Sequence, residues 1–406
     1  MKVDNLILTK SLGKGAFGEV FLTNMEGRKE LFATKRLDRA YSEKEENIKR
    51  LANEIKIMKK IHHPNLVSLI DLKKTKTHCY LVMEFCNGGD LTGCLRKYMQ
   101  LYKKPFSEEI VQYLMRQIVS GLDALHSRNI LHRDLKLDNI LVCFNSEQDK
   151  NSLNMMKATA KITDFGFATI LNTAKPLATT VLGTPTYMEP SLLNNMQQRT
   201  RNQGYDQKVD IWSLGTLCYE MLVGRNPFSG YSLQDVYNKV KVGTYPLPTS
   251  LSREVVFFIE GMLQKEHNKR LGCKELLQHD FLTKNVRQFK PMDARTIPGI
   301  VAKEGGLVKI DSGAKQGIQN LGQTVWDIFA QPNQGVNMQT GTNNYLQYGQ
   351  NEIQNYQNYP NNQAYGKNQI NMNPSNQYQY PYQNTGNMPK MQMGYYYQYN
   401  SNIFYL

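Results

Sequence analysis

The sequence contains no apolar run long enough to cross a membrane. The first apolar stretch, "NLILTKSL", is short and interrupted, and nothing before it resembles a signal peptide. The second residue is Lys2, whereas N-myristoylation requires glycine there. We therefore expect a cytoplasmic protein without a transmembrane segment.

Cysteines are few, and none shows the paired spacing of a metal-binding motif. The six cysteines are Cys79, Cys86, Cys94, Cys143, Cys218 and Cys273. They lie in apolar or turn contexts, so we interpret them as reduced thiols of an intracellular protein.

Long basic runs are also missing, although the formal net charge is +14. Such a surplus can indicate binding to nucleic acid or to an anionic membrane. Because basic and acidic residues are interleaved along this chain, we expect no specific nucleic-acid binding. The surface is instead predicted to tolerate nucleotide and acidic partners.

Charge is almost absent from the last part of the chain. Beyond residue 331 the charged residues are Glu352, Lys367 and Lys390, set among Asn, Gln, Tyr, Pro and Gly. This composition cannot bury enough aliphatic surface to offset the chain entropy, so 331–406 is predicted to be a disordered tail. Its polar and aromatic character is typical of segments that self-associate weakly or bind a partner.

A linker, 284–330, is predicted before the tail. Its apolar residues recur at helical spacing and predict a short amphipathic helix over 314–330. These residues are Ile318, Leu321, Val325, Ile328 and Phe329. The helix either docks on the preceding body or binds a partner.

The body is patterned for an α+β fold. Within the first hundred residues, short β-rich runs surround one predicted helix over 43–60. Long helical patterns follow Pro105, and Ser107 is placed to cap the first of them. The stretch "VDIWSLGTLCYEML" is apolar almost all round, which predicts a helix in the middle of a lobe.

A glycine-rich turn lies near the start of the body. Gly13, Gly15 and Gly18, followed by Val20, form a G-x-G-x-x-G-x-V pattern. Dinucleotide-binding folds have the same glycine spacing, but there the glycines open a helix. Because "EVFLTN" is typical of a strand, the pattern favours a strand–loop–strand flap over nucleotide phosphates.

A lysine on an inward strand face follows in "LFATK". Leu31, Ala33 and Lys35 share one face of the strand, and a buried ammonium group needs a negative partner. The apolar stripe of the 43–60 helix is predicted at Ile48, Leu51, Ile55 and Met58. Glu54 falls on that stripe, so we expect it to pair with Lys35 and direct the lysine toward phosphate oxygens. The alternative is a solvated charge at the helix edge.

The strongest signal is "LHRDLKLDNILV" followed by "KITDFGFA", two polar segments next to apolar strands. Phosphoryl transfer needs oxygen ligands for a metal, a cation on the γ-phosphate and an acceptor for the proton of the nucleophile. The residue types fit as follows: Asn139 and Asp164 for the metal, Lys136 for the γ-phosphate, and Asp134 for the proton.

These motifs resemble those of a eukaryotic-type protein kinase. "GKGAFGEV", "FATK", "HRDLKLDN", "DFG" and "DIWSLG" occur in the order and spacing of that family. The resemblance covers residues 6–283 and implies a bilobal fold, with an N-lobe over about 6–86 and a C-lobe over about 87–283. It also implies that ATP and Mg²⁺ bind between the lobes.

The resemblance places further residues around ATP. Met83 falls at the gatekeeper position, Glu84 and Cys86 lie in the linker between the lobes, and Asp90 is placed to hydrogen-bond the ribose. The adenine would lie among Leu12, Val20, Ala33 and Leu141. Asp210 would accept hydrogen bonds from the catalytic-loop backbone; the alternative is a helix-capping aspartate at the surface.

Two features of the resemblance indicate a subgroup. A lysine two residues after Asp134 is the serine/threonine pattern, and Thr184 is expected to bond to both Asp134 and Lys136. "MEFCNGGDL" and "DFGFAT" most resemble the autophagy-initiating (ULK-type) serine/threonine kinases, which carry an extended hairpin where this chain has "FNSEQDKNSLNMMKATA". We therefore expect protein substrates.

Activation is predicted to involve Arg133, because an arginine before the catalytic aspartate usually receives a phosphate from the activation segment. Thr180 fits the phosphorylated position. The alternative is that Thr180 and its neighbour Thr179 are ordinary polar loop residues.

The end of that segment, "GTPTYMEPS", departs from the family pattern. Ser191 stands where kinases carry a glutamate that pairs with an arginine, matched here by Arg270. We expect Arg270 to use Glu189 or to remain hydrated, and Ser191→Glu to raise the melting temperature.

A catalytically inactive scaffold is the competing class of function. Inactive kinases typically lose the lysine, the metal ligands or the catalytic aspartate, whereas this chain keeps Lys35, Asp134, Asn139 and Asp164. The sequence therefore favours an active enzyme.

Overall fold

The computed structural model describes residues 1–15, 18–38, 45–171, 177–178, 182–198, 204–291, 300–303 and 307–311. The helix predicted over 314–330 and the tail predicted over 331–406 lie outside these residues. Every described residue belongs to one compact unit of the chain. None of the described helices is long and apolar enough to span a bilayer.

A six-stranded antiparallel sheet forms the first lobe, with strand order β1-β2-β3-β4-β6-β5. The strands are β1 (Lys2–Val3), β2 (Leu6–Gly15), β3 (Gly18–Met25), β4 (Leu31–Asp38), β5 (Leu69–Lys74) and β6 (His78–Glu84). Strands β2 and β3 pair Gly13 with Val20 and Gly15 with Gly18. This pairing confirms the strand–loop–strand prediction.

The two faces of β4 lie in different surroundings. Phe32 and Thr34 are buried, whereas Ala33 and Lys35 on the other face are only half-buried. Leu31, at the end of that second face, is 42% exposed. Leu37, farther along the same face, is 2% exposed, so the face predicted to point inward is open at Leu31 and closed at Leu37.

The helix of the first lobe is α1 (Glu45–Lys60), which contacts the turn Phe165–Phe167. Its predicted buried stripe is wrong at the N-terminal end, because Ile48 is 46% exposed. The buried side carries Glu54 and Met58, as predicted, together with Ile57, which was not assigned to the stripe. This side faces Lys35 and the 165–167 turn, so the Glu54 carboxylate lies on the buried side, where its spacing predicted it.

Helices dominate the second lobe. They are α2 (Leu91–Tyr102), α3 (Glu108–His126), α4 (Glu147–Asn151), α5 (Pro190–Gln198), α6 (Lys208–Val223), α7 (Leu233–Val242), α8 (Arg253–Met262), α9 (Cys273–Gln278) and α10 (Asp280–Thr283). The Ser107 hydroxyl accepts a hydrogen bond from the backbone N–H of Ile110, as its predicted capping role requires. Helix α6 is buried almost all round, which confirms its central position.

Short strands position the polar segments of the second lobe. They are β7 (Gly89–Asp90), β8 (Ile130–Leu131), β9 (Ile140–Phe144), β10 (Ala158–Ile162) and β11 (Thr169–Ile170). Antiparallel pairing of Ile140 with Ile162 places Asn139, before β9, and Asp164, after β10, at the same end of the hairpin. The insertion predicted from the resemblance lies at the other end and contains α4.

A fourth sheet includes part of the predicted linker. Its strands are β12 (Thr244–Pro248), β13 (Ile300–Lys303) and β14 (Leu307–Asp311), in the order β12-β14-β13. The sequence pattern predicted neither β13 nor β14.

A buried ion pair anchors the end of the 183–191 segment. Glu189 and Arg270, which are 1% and 2% exposed, contact each other through Oε2 and Nη1. The hydroxyl of Ser191 donates to Oε1 of Glu189, and His267 lies between Glu189 and Asp206. Glu189 therefore replaces the acid that the family carries two residues later.

The titration of this cluster follows from its contacts. Burial acts to raise the pKa of Glu189, but the hydrogen bond from His267 and the charge of Arg270 outweigh burial and hold the pKa at about 2. Hydrogen bonds to Asp206 and Glu189 raise the pKa of His267 to about 9. Arg270 thus already has a carboxylate partner, which removes the reason for expecting Ser191→Glu to stabilise the fold.

Glu189→Gln is expected to lower the free energy of unfolding by ~3–5 kcal/mol, because it leaves Arg270 as a buried charge without its carboxylate. Urea denaturation measures this change. The control is Glu266→Gln, which removes a carboxylate paired with Lys269 at the surface; such exposed pairs contribute little. Equal losses in the two variants would contradict the anchoring role of Glu189.

Candidate active site

The β2–β3 hairpin shapes the glycine-rich loop. Gly18 has φ of +141°, and a Cβ atom there would lie 2.2 Å from the backbone oxygen of Arg36 in β4. Only glycine permits this close approach. At Gly13 such an atom would meet no described atom within 4 Å, and Leu12 beside it is 43% exposed. The glycine-rich loop is therefore packed closely against β4 at Gly18 in β3, whereas its β2 side, at Leu12 and Gly13, is exposed.

Three charged side chains connect the two lobes. The Nζ atom of Lys35 lies 3.0 Å from Oε1 of Glu54 and 4.0 Å from Oδ1 of Asp164. Glu54 is 5% exposed, which excludes a solvated charge at the helix edge. Burial raises the pKa of Glu54, and the nearby ammonium group of Lys35 opposes that rise. The structure thus contains the expected ion pair and places it next to Asp164.

The carboxylate of Asp134 is held by three side chains. Its Oδ1 accepts a hydrogen bond of 2.8 Å from the hydroxyl of Thr184. Its Oδ2 lies 3.0 Å from both Nζ of Lys136 and Nδ2 of Asn139. Lys136 also donates to the Thr184 hydroxyl, at 3.0 Å. Asp134 is 4% exposed, so its carboxylate is fixed in one orientation.

Asp164 and Asn139 can present oxygen atoms to a cation. Asp164 has φ of +63°, and its side chain is 30% exposed. Asn139 uses its Nδ2 atom on Asp134, so its remaining polar atom is the amide oxygen. Oxygen ligands suit Mg²⁺, which usually takes its other ligands from phosphates and water. Within the described ranges, no three His, Cys, Asp or Glu residues form a metal cluster of their own.

Asp210 holds the backbone of the loop that carries Asp134. It is fully buried and accepts hydrogen bonds of 2.8 Å from the backbone N–H groups of His132 and Arg133. Its Oδ2 also lies 2.9 Å from Nε2 of His126. Burial alone would raise the pKa of Asp210, but these hydrogen bonds, first of all that with His126, lower it. The surface-capping alternative is therefore excluded.

The predicted adenine contacts lie on neighbouring strands. Val20 pairs with Lys35 and Ala33 pairs with Met83 in the first-lobe sheet. In the second lobe, Leu141 pairs with Asp90. These apolar residues therefore flank the linker between the lobes from both sides.

Acidic side chains near the linker make contacts of their own. Glu84 accepts the backbone N–H of Ser68 at 2.7 Å and lies 3.0 Å from Nζ of Lys161. Asp90 accepts the backbone N–H of Gly93 at 2.7 Å and caps α2. The side chain of Glu84 is thus engaged by Ser68 and Lys161, and Asp90 is engaged by the first turn of α2 through its Oδ1 atom.

Comparison with known proteins agrees with this geometry. Residues 6–282 match the protein kinase domain family. The chain belongs to the protein kinase family. The match confirms the prediction of the protein kinase fold, with a β-rich first lobe and a helical second lobe.

Among curated relatives of this kinase, serine/threonine-protein kinase ULK1 of Homo sapiens is 34% identical over 293 residues, covering 71% of this chain and 26% of its own length. Serine/threonine-protein kinase unc-51 of Caenorhabditis elegans is 35% identical over 328 residues, covering 74% and 36%. Serine/threonine-protein kinase ATG1 of Kluyveromyces marxianus is 32% identical over 326 residues, covering 71% and 38%. These similarities confirm the ULK-type resemblance, although the chain matches only about a quarter to two fifths of each relative.

The predicted phosphate receiver of the kinase, Arg133, contacts two elements. Its Nε atom donates to the backbone oxygen of Phe167 at 2.6 Å, and its Nη1 atom donates to the hydroxyl of Tyr205 at 3.3 Å. The guanidinium group of Arg50 in α1 lies 5.6 Å from the ring centre of Phe167. Thr180, the predicted phosphorylation site, lies outside the described residues.

Sequence reasoning missed several contacts that support the kinase site. Asn53 in α1 donates to the backbone oxygen of Ala168 at 2.5 Å, and its only sequence signal was its position beside Glu54. Tyr187 donates to the buried carboxylate of Glu220, and burial raises the pKa of Glu220 to about 7. Tyr205 and Glu220 belong to no motif that contains their partners, so no sequence signal linked them.

Proposed function

We propose that this kinase transfers the γ-phosphoryl group of ATP to serine and threonine hydroxyls of proteins, with Asp134 as the catalytic base. The observation that carries the proposal is the carboxylate of Asp134, which Thr184, Lys136 and Asn139 hold in one orientation. A positioned carboxylate can accept the proton that the attacking hydroxyl loses. Lys136 lies beside this base and is proposed to contact the γ-phosphate.

Lys35 is proposed to bind the α- and β-phosphates, with Glu54 fixing its direction. The 3.0 Å contact between the two groups supports this role. The backbone of Gly13, Gly15 and Gly18 would cover the phosphates from above.

Asn139 and Asp164 are the proposed Mg²⁺ ligands, and both lie at the same end of the β9–β10 hairpin. When bound, Mg²⁺ would neutralise charge that develops on the β- and γ-phosphates. The adenine would lie against the linker backbone from Glu84 to Cys86, between Leu12, Val20, Ala33, Met83 and Leu141. Asp90 would bind the ribose.

We also infer that phosphorylation of Thr180 activates the kinase. A phosphate adds about −1.5 to −2 charges and can accept several hydrogen bonds from arginine. Arg133 supports this role because it already contacts Phe167, next to the Asp164 segment, and Tyr205. A phosphate on Thr180 that binds Arg133 would connect the activation segment to Phe167 and to Tyr205.

For the whole protein we propose a cytoplasmic location and partner binding or self-association through residues 331–406. The near absence of charge and the many tyrosine, asparagine and glutamine residues of this segment support the second proposal.

Asp164→Asn is expected to abolish ATP-dependent phosphorylation of a generic acceptor protein, because it removes a charged oxygen ligand of the proposed Mg²⁺ site. Incorporation of labelled phosphate measures the effect. The control is Asp280→Asn, which removes a carboxylate from an exposed pair with Lys284 and should leave the rate unchanged. Phosphorylation that survives Asp164→Asn, or is absent from the unaltered chain, would favour the inactive scaffold.

Thr180→Ala is expected to reduce the rate of a phosphorylated preparation, because Arg133 then has no phosphate to bind. Steady-state kinetics with protein of known phosphate content provides the measurement. Thr179→Ala is the matched control and should retain the rate. If the two variants lose equal activity or none, Thr180 is not the activating site.

Removal of 331–406 is expected to reduce self-association and to leave catalytic rate unchanged, because all proposed catalytic residues precede residue 165. Light scattering and localisation of the two forms in cells provide the comparison. Identical scattering and localisation would show that the segment has neither role.

A further inference from the structure

Strand β12 follows helix α7 in the second lobe and pairs with strand β14. The register joins Tyr245 to Ile310, Pro246 to Lys309, Leu247 to Val308 and Pro248 to Leu307. Along an antiparallel strand, successive residues direct their N–H and C=O groups to opposite edges. Because proline has no N–H, the residues that exchange hydrogen bonds with β14 are Tyr245 and Leu247. The two prolines face the other edge of β12.

That other edge is engaged by the second lobe itself. The hydroxyl of Tyr219 in α6 donates to the backbone oxygen of Pro246 at 2.6 Å. The side chains of Tyr219, Tyr245 and Leu247 are buried, and the two tyrosine rings meet edge-on with their centres 5.7 Å apart. Strand β12 is thus fixed to the lobe, and the backbone groups of Tyr245 and Leu247 form the row that it offers to a further strand.

The hairpin formed by β13 and β14 is attached to the lobe through this row. Among the described elements, β14 makes its extensive contacts with β12 and β13, and no described helix contacts either strand of the hairpin to a similar extent. Elements with so few contacts open at a lower free-energy cost than the core of a domain. The β12–β14 ladder can therefore open while the second lobe stays folded.

An unpaired strand edge binds extended segments of protein chain. The backbone hydrogen bonds supply affinity, and the residues at alternate positions supply selectivity. The segment seated on β12 has Val308 and Ile310 at the hydrogen-bonded positions and Lys309 between them. A segment of matching chemistry is extended and carries two β-branched residues separated by one other residue.

We propose that β12 is a docking strand for such a segment of a partner protein, and that residues 307–311 occupy it in cis as an intramolecular competitor. Opening of the ladder frees the N–H and C=O groups of Tyr245 and Leu247. The partner segment pairs with these groups in the register that Val308 and Ile310 use in the closed form. Binding of the partner and pairing of β14 are therefore mutually exclusive. This docking does not depend on phosphoryl transfer.

Val308→Pro in the full chain is expected to release β14, because proline cannot donate to the oxygen of Leu247. The matched control is Ala302→Pro in β13. Ala302 pairs with Val308, so its own N–H faces the open edge of β13 and proline is tolerated there. Hydrogen exchange of the 244–248 peptide, measured by mass spectrometry, should show loss of protection at Tyr245 and Leu247 in Val308→Pro and none in the control.

A fluorescent peptide with the sequence of residues 305–313 is the probe for docking. Its fluorescence anisotropy should rise to saturation with the Val308→Pro chain. Binding to the unaltered chain and to Ala302→Pro should be at least about tenfold weaker, because only the open fraction of these chains is competent. The bound peptide should restore the protection of Tyr245 and Leu247, and a peptide with proline in place of Val308 should not bind.

Ile310→Pro removes the other donor of β14 and should behave as Val308→Pro does; circular dichroism checks that both variants are folded. Retained protection of the 244–248 amides in both variants, or peptide binding that leaves these amides exchanging, would overturn the assignment of β12 as the docking strand. Equal affinity of the peptide for the unaltered and altered chains would overturn the competition by β14. A dimer of the unaltered chain that either variant abolishes would show β14 paired with a second copy and overturn its occupancy in cis.

Discussion

The carboxylate of Asp210 is buried and positions the backbone of the loop that carries Asp134. It accepts the N–H groups of His132 and Arg133, and Arg133 has φ of +69°, which non-glycine residues adopt at a cost. The hydrogen bond with His126 satisfies the carboxylate further, so that its burial is tolerated. Asp134 follows directly in the chain, and its orientation depends on this loop conformation. A single buried acid on the central helix therefore connects the core of the second lobe to the proposed chemistry.

Lys35, Glu54 and Asp164 form a row of charges that connects the two lobes. Glu54 is tolerated on the buried side of α1 because Lys35 supplies the opposite charge at 3.0 Å. The same helix reaches the second lobe through Asn53 and the backbone of Ala168. A shift of α1 would therefore move Lys35 and the segment after Asp164 together. The relative positions of the proposed site residues thus depend on contacts from both lobes.

Glu189 supplies the ion pair with Arg270 although the sequence departs from the family pattern at residue 191. The chain lacks glutamate at 191, yet Arg270 is paired and buried because the side chain of Glu189 reaches it. Ser191 donates a hydrogen bond to the same carboxylate, so the residue that replaced the acid now helps to orient it. The buried charge of Arg270 therefore requires a carboxylate nearby. The residue that supplies this carboxylate can lie two positions earlier in the sequence.

The sequence patterns by themselves determined the α+β fold, the glycine-rich hairpin and the proposed catalytic set, because strand signals with polar residues at their ends recur along the chain. The bilobal arrangement was implied by the resemblance to protein kinases. The central helix was also predictable, since a helix without a polar face must be enclosed. The sequence left open whether Glu54 is paired or solvated, whether Asp210 is buried, and which acid serves Arg270. These questions concern residues tens of positions apart, and local periodicity carries no information about such distances. Ile48 illustrates the limit: its spacing placed it on the same stripe as Glu54 and predicted burial, but Ile48 is 46% exposed. Tertiary structure alone decided these contacts, because burial and charge pairing depend on which segments meet in space.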